Sequence, residues 1–362
     1  MLNKHANITK NQFKGLPLTI YMSKFNINYL TDIYSTLGTK LSYPNEELSA
    51  IIQDEHHYNA WFTSASVSEA VKATGKMLNK PDLATWLSRY DLEKNQTSKK
   101  TGLILAGNIP MVGFHDVLCV LTSGNHALIK VSTQDARLIR YVLNMLVAIE
   151  PAFKEQFSFV DRLENFDAII ATGSNNTSRY FEFYFSKVPN IIRKNRNSVA
   201  VLTGDETTEQ LYNLGRDIFD YYGLGCRNVS KVLVPEGYNF VPFFEAIEPY
   251  NKIINHHKYN NNYDYNKSIY LVNKDKHLDN GFLLVKEDER MVSPLAVLFY
   301  EQYKNMDAVQ AFLERESENI QCIVSAAPLK TSNQVVDFGK SQQPALWDYA
   351  DGIDTMDFLT KL

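Results

Sequence analysis

From Thr101 onward, short and almost unbroken apolar runs alternate with segments of helical periodicity, and no other feature limits the fold so sharply. The runs 103–106, 126–131, 168–171 and 199–202 have strand length, and 157–160 is a shorter one. Between them, 110–122, 133–149 and 176–187 read as helices, the second with Leu138, Ile139, Val142, Leu143 and Leu146 on one side. Strands that lack polar alternation are covered on both faces, and helical crossovers join them in parallel. An α/β fold with a parallel sheet is therefore predicted. Ligands of such sheets bind beyond the carboxyl ends of the strands. The turns Gly107-Asn108-Ile109-Pro110 and Thr172-Gly173-Ser174 fall there and are the candidate cofactor contacts. No G-x-G-x-x-G follows a strand, and no G-x-x-x-x-G-K-[ST] is present, which argues against a nucleoside triphosphatase.

A second stretch carries the candidate chemistry. Thr207 and Gln210 form a capping-box start, and Leu211, Leu214, Ile218, Phe219 and Tyr222 continue at helical spacing. The run 229–234, ended by Pro235, reads as a strand. Cys226 lies between them on a turn that contains Gly223 and Gly225, where the backbone can approach a ligand with no Cβ in the way. Two readings stand side by side. A thiol here can serve as a thiolate nucleophile, favoured by Arg227 and nearby N–H groups, or it can be a small buried hydrophobe.

The remaining sequence gives a frame. Residues 1–100 read as a helical lead-in: one helix from Pro44 to Trp61, a second capped by Ser66 with Glu69, and a third opened by Pro81 and carrying Leu83, Trp86, Leu87 and Tyr90. Units at 101–203 (cofactor), 204–325 (catalysis) and 326–362 (a tail packing back on the cofactor unit or on an oligomer partner) follow. A net charge of −4 gives no electrostatic reason for a nucleic-acid partner. Cys119, Cys226 and Cys322 form no disulfide framework, the N-terminus has no signal-type apolar core, and no run suits a bilayer span, so a cytoplasmic protein is expected. Residues 255–268, with His256-His257, read as a surface or interface segment rather than a metal site, because adjacent histidines face different ways. Residues 269–272, 283–285, 295–299 and 322–324 read as strands, 309–313 as helix, and Cys322 as core. Asp348, Asp351 and Asp354 read as turn and cap residues in preference to cation ligands, and His115 as a helix-surface or capping residue in preference to a proton shuttle.

Three motifs in order, LILAGNIPMVGFHDVLCVLTSGNHALIKVS, FDAIIATGS and GLGCRNVSKVLVP, resemble the cofactor region, the Gly-Ser turn and the catalytic-cysteine turn of the aldehyde dehydrogenase superfamily. With the tail FGKSQQPALWDYADGIDTMDFL, the likeness is nearest to its acyl-CoA reductase branch, which includes the fatty-acid reductases of bacterial bioluminescence. The resemblance implies a parallel-sheet cofactor domain, an α/β catalytic domain and a homo-oligomer. It implies Cys226 as the residue that forms a thioester and Asn108 as the amide that stabilises the oxyanion. Lys130, with Ser132, would hold the adenosine ribose, and Gly173 and Ser174 would stand beside the pyrophosphate of NADPH or NADH. Acyl-CoA would be the substrate, with coenzyme A as its leaving group.

Two departures bear on the reaction. Where hydrolytic members carry the glutamate that activates water, this chain has Arg193-Lys194-Asn195-Arg196-Asn197-Ser198. Where a second glutamate holds the nicotinamide ribose, Arg290 stands near the matching offset. Without a base a thioester is released to a thiol or to hydride more readily than to water. The expectation is reduction of acyl-CoA to aldehyde by NAD(P)H. The alternatives are a CoA-acylating aldehyde dehydrogenase running oxidatively, or an acyl-CoA-binding scaffold without turnover.

Overall fold

The computed structural model describes residues 26–92, 97–173 and 175–362. The N-terminal peptide and Ser174 lie outside the described residues.

Four helices come first: α1 (Ile27–Ser42), α2 (Glu46–Asp54), α3 (Ser64–Met77) and α4 (Lys80–Leu87). Side chains of Asn26, Asn45, Thr63 and Asn79 cap them, each accepting an N–H of the first turn. The cap of α3 is thus Thr63, not Ser66, whose N–H is the donor. These helices bury Tyr34, Leu37, Phe62, Val71 and Trp86 in one core with the elements that follow.

Those elements are β1 (Lys100–Ile104), α5 (Phe114–Thr122), β2 (His126–Lys130), α6 (Ala136–Ile149), β3 (Phe157–Phe159), β4 (Ala168–Thr172), α7 (Asn175–Phe185) and β5 (Asn190–Arg193). The strands form an all-parallel sheet in the order β3-β2-β1-β4-β5. The predicted helix at Pro110 begins four residues later. Met111 takes a left-handed φ of 63°, so residues 107–113 stay a turn.

Then come β6 (Asn197–Val201), α8 (Thr208–Phe219), β7 (Val229–Pro235), α9 (Val241–Ile247), α10 (His257–Asn273), β8 (Leu278–Asp279), β9 (Leu284–Glu287), β10 (Val297–Tyr303), α11 (Met306–Arg315), β11 (Ile320–Val324), β12 (Gln334–Val336) and α12 (Thr355–Thr360). Seven strands form a second sheet, ordered β12-β11-β6-β7-β10-β9-β8, parallel except for β8 on β9. Along β6, Ala200 faces one core while Val199 and Val201 face another, the period-two signature of a sheet covered twice. The strand expected at 199–202 therefore belongs to this sheet rather than to the first unit.

Residues 269–272, expected as a strand, are the last turns of α10. Tyr259, Tyr263, Asn266 and Tyr270 repeat at helical spacing and form its buried face, while Leu271 and Val272 are exposed. Tyrosine served as the apolar residue, so the segment looked polar. The tail crosses both units: Phe338 joins the second core, and Leu346, Tyr349, Met356 and Leu359 join the first. No helix among the described residues is long and apolar enough to cross a membrane.

Candidate active site

The cysteine turn is built from α8 outward. The reciprocal Thr207–Gln210 capping box starts the helix, and Leu211, Leu214, Ile218 and Phe219 bury its inner face. The helix stops at Phe219, so Tyr222 is not its last apolar position. Tyr221, Tyr222 and Gly223 instead follow one another in the left-handed region, with φ of 54°, 60° and 78°. For a tyrosine that conformation costs about 1–2 kcal/mol. It is offset by packing: the Tyr222 ring lies 4.3 Å from His256 and 5.5 Å from Trp61. Asn228 then closes the turn. Its side chain accepts from Gly225 N at 2.8 Å and donates to the carbonyls of Asp220 at 2.8 Å and Asp217 at 3.1 Å. Cys226 is held between these anchors, partly exposed.

Asn108 reaches the same turn from the first sheet, its amide donating to the Leu224 carbonyl at 2.8 Å. A Cβ on Gly225 would lie 3.0 Å from Asn228 Oδ1, 3.4 Å from Ile109 Cδ1 and 3.5 Å from Gln342 Nε2, so a bare backbone lets three segments meet here. Two cavities share Cys226. One, of about 350 Å³, is lined by Asn108, Asn195, Leu224, Pro294 and Leu295 among others. The other, of about 400 Å³, is lined by Ile109, Phe114, Asp220, Gln342 and the inner face of α3 at Ala70, Ala73 and Met77.

Electrostatics correct one expectation. Burial pushes the Cys226 thiol above the ordinary cysteine range and outweighs Arg227, which acts the other way. The Arg227 guanidinium is engaged elsewhere, donating to Gln334 Oε1 at 3.0 Å and the Asp348 carbonyl at 3.2 Å. The resting group is a thiol. The segment 193–198 brings no carboxylate: Arg193 is buried and paired with Asp116, Lys194 pairs with Glu182 at 2.7 Å, and Arg196 with Asp351 at 3.5 Å. A carboxyl group does enter the larger cavity from another place. Asp220 faces Arg216 at 3.6 Å, and desolvation pushes it up to about 6.

Gly107, Ser132 and Gly173 lie just beyond the carboxyl ends of β1, β2 and β4, and Lys130 is the last residue of β2. Gly107 and Ser132 are in close contact: a Cβ on the glycine would stand 2.4 Å from the serine Oγ. Lys130 is exposed. Gly173 packs against Phe181 and Thr177, which an added Cβ would meet at 2.9 and 3.1 Å. Neither cavity at Cys226 is lined by Lys130, Ser132 or Gly173. Arg290 is held by Asp288, at 2.8 Å through Nε and 2.6 Å through Nη2.

His115 is half-buried and lines the larger cavity. Its ring packs near Trp86 and Tyr349, and Nε2 donates to the Leu346 carbonyl at 2.9 Å. Asp348 accepts from Ala345 N and Asp354 caps α12, as turn and cap residues do. Among the described residues no group of three or more His, Cys, Asp or Glu is placed to hold a metal.

Sequence reasoning missed three supports. Asn228 gave the only local signal, an asparagine at the end of a glycine turn. Asp217 accepts from Gly339 N at 2.6 Å and Ser341 N at 3.0 Å, and so ties the tail to α8. Gln342, the next tail residue, reaches the cysteine turn, and nothing local marks it.

No family model and no curated protein matches this chain. Solved structures do. Aldehyde dehydrogenase 21 of Physcomitrella patens, in complex with succinate, is 12% identical over 95% of this chain and 86% of its own, with a TM-score of 0.65. An acetylating aldehyde dehydrogenase of Geobacillus thermoglucosidasius is 12% identical over 91% and 87%, at 0.59. A Mycobacterium tuberculosis aldehyde dehydrogenase complexed with NAD+ is 10% identical over 87% and 78%, at 0.61. The fold is that of the aldehyde dehydrogenases.

Proposed function

We propose that this protein is an oxidoreductase that reduces acyl-CoA to aldehyde through a thioester on Cys226. The observation that carries the proposal is the position of Cys226, shared by two cavities with the Asn108 amide on its turn and no carboxylate in the 193–198 segment.

The larger cavity suits the acyl group, with Ala70, Ala73, Met77, Ile109 and Phe114 as apolar contacts. Cys226 Sγ attacks the acyl carbonyl. A new S–C bond forms, the carbon–sulfur bond to coenzyme A breaks, and the proton lost by Cys226 leaves with the coenzyme A thiol. Backbone N–H groups of the turn, with the second amide hydrogen of Asn108, bear on the developing oxyanion. Each such donor is worth roughly 3–4 kcal/mol.

The residues at the strand ends fit a nicotinamide dinucleotide. β1, β2 and β4 end on one side, Gly107 brings bare backbone there, and Lys130 presents an exposed cation beside Ser132. Such a cofactor, when bound, supplies hydride to the carbonyl carbon of the thioester. The chain then releases aldehyde as the carbon–sulfur bond breaks, and the Cys226 thiolate set free takes a proton from solvent. Members of this fold bind NAD+ and one is acetylating, which supports both the cofactor and the thioester substrate.

Intact-mass measurement after mixing with acyl-CoA tests the reading. One acyl group is expected on Cys226, and NAD(P)H is expected to release it as aldehyde. An unmodified mass, with the thiol also resistant to alkylation, would leave only a binding role.

A further inference from the structure

The amide of Gln342 stands out among the groups around Cys226. Its Nε2 is buried and has no hydrogen-bond partner among the described residues. An amide hydrogen taken from water and left unmatched is destabilising. The atom lies 3.5 Å from where a Gly225 Cβ would stand, one residue before the cysteine, and Gln342 lines the larger cavity together with Cys226.

Its placement is braced. Asp217, on α8, holds the N–H groups of Gly339 and Ser341 on either side of Lys340, and the Asp217 carbonyl is itself bonded by Asn228. The helix that ends in the cysteine turn thus also fixes the backbone immediately before Gln342. The opposite amide, Asn108, lines the smaller cavity and already spends one hydrogen on Leu224. Asp116 Oδ1 and Arg193 Nε, in the same cavity as Gln342, are also without partners, but Arg193 is tied to Asp116 and to Thr355 at 3.0 Å.

We infer that Gln342 is a catalytic hydrogen-bond donor to the acyl carbonyl of the substrate, acting from the acyl side of Cys226. The inference rests on the thioester reading above. When the cysteine sulfur adds to the carbonyl, negative charge collects on its oxygen, and the unused Gln342 N–H meets it. No proton is transferred in this contact. Were a bound nicotinamide cofactor to supply hydride to the thioester, the same amide would be available to that carbonyl oxygen. A buried unmatched amide is the condition a preorganised donor must meet, because a donor already satisfied would have to break a bond first.

The test compares two reactions of the same thiol. Acylation by acyl-CoA, followed by single-turnover quench and intact mass, passes through an oxyanion. Alkylation by iodoacetamide displaces iodide at a saturated carbon and forms none. Gln342→Met, similar in length and without a donor, should acylate roughly 10²–10³-fold more slowly, the loss typical of one oxyanion donor. Its alkylation rate should stay within about twofold of wild type, since nothing in that reaction calls on the amide. Gln342→Ala should behave alike and carries the test if the methionine variant misfolds. Equal acylation rates in variant and wild type would overturn the inference. An equal fall in both reactions would also overturn it, by making Gln342 a residue that only presents the thiol. A wild-type protein that never takes up an acyl group would instead remove the thioester reading itself.

Discussion

The Asn108 side chain donates to the carbonyl of Leu224 at 2.8 Å, and this one bond joins the end of the first sheet to the cysteine turn of the second. It places an amide from the turn after β1 on the turn that carries Cys226, the two bonded residues lying 116 positions apart in the chain. Asn108→Ala should fold, because Asn108 is exposed, and should lose on the order of 10²–10³ in acylation rate. Single-turnover mass measurements would show it. An unchanged rate, with acylation itself rate-limiting, would take Asn108 out of the site.

The thiol has its own signature. Burial raises the Cys226 pKa, so iodoacetamide should alkylate it slowly at neutral pH, with a rate still climbing through the range where an ordinary cysteine has levelled off. Cys226→Ser should abolish acyl transfer, since a serine hydroxyl stays protonated and has no base beside it in the 193–198 segment. A rate profile that is flat above about pH 7 would mean that the thiolate is the resting form.

Much of the scaffold was legible because it obeys local rules. β4 is apolar but for its last residue, β1 and β2 carry the apolar steps Leu103-Ile104 and Ala127-Leu128-Ile129, and the Thr207–Gln210 box sits where its spacing placed it. Gly223 and Gly225 marked the turn because only bare backbone permits a left-handed φ without strain, or an approach of 3.0 Å. What escaped was non-local or disguised. The α10 core face is made of tyrosines, and β5 shows only Ile191 and Ile192 between polar neighbours. Asp217 and Ser341 are 124 residues apart, so no period in the sequence relates the brace to the tail it holds. Within the site, Cys226 and Asn108 could be singled out from motif and turn chemistry and Asn228 carried a local signal at the end of the glycine turn, whereas the contact of Gln342 with that turn is visible only in three dimensions.

The turn that carries Asn108 is held by an acid whose charge matters. Asp135 accepts from Met111 N at 2.7 Å, and desolvation moves its carboxyl from its ordinary 3.8 up to about 8. The folded protein therefore binds this proton more tightly than the unfolded chain. Between about pH 4 and 8 folding takes the proton up, and the contribution of Asp135 to stability falls as pH rises through that window. Asp135→Asn keeps an oxygen for Met111 and cannot ionise, so it should unfold at a higher temperature than wild type above pH 8 and differ less below pH 6. Thermal midpoints of both proteins across that range decide it. Parallel curves would show that Asp135 is already charged in the folded state.

The fate of the acyl-enzyme bears on the reaction as a whole, and Asp220 is the residue to question. The 193–198 segment offers water no base, so a wild-type thioester without nicotinamide should persist and hydrolyse only slowly. Free coenzyme A should return it to acyl-CoA, and NAD(P)H should discharge it as aldehyde. Asp220, however, is a carboxyl in the cavity of Cys226, pushed up to about 6, and at neutral pH a good part of it is ionised and able to accept a proton. General-base help is worth roughly 10²–10⁴-fold, so its presence or absence is measurable. With a labelled acyl group, Asp220→Asn should leave the slow hydrolysis within about twofold if the carboxylate does not reach the attacking water. A tenfold or larger fall would identify Asp220 as a base supplied from the helix end in place of the segment that lacks one. Free acid would then rank with aldehyde as a product, and the protein would act as a hydrolase whenever reduced cofactor is scarce.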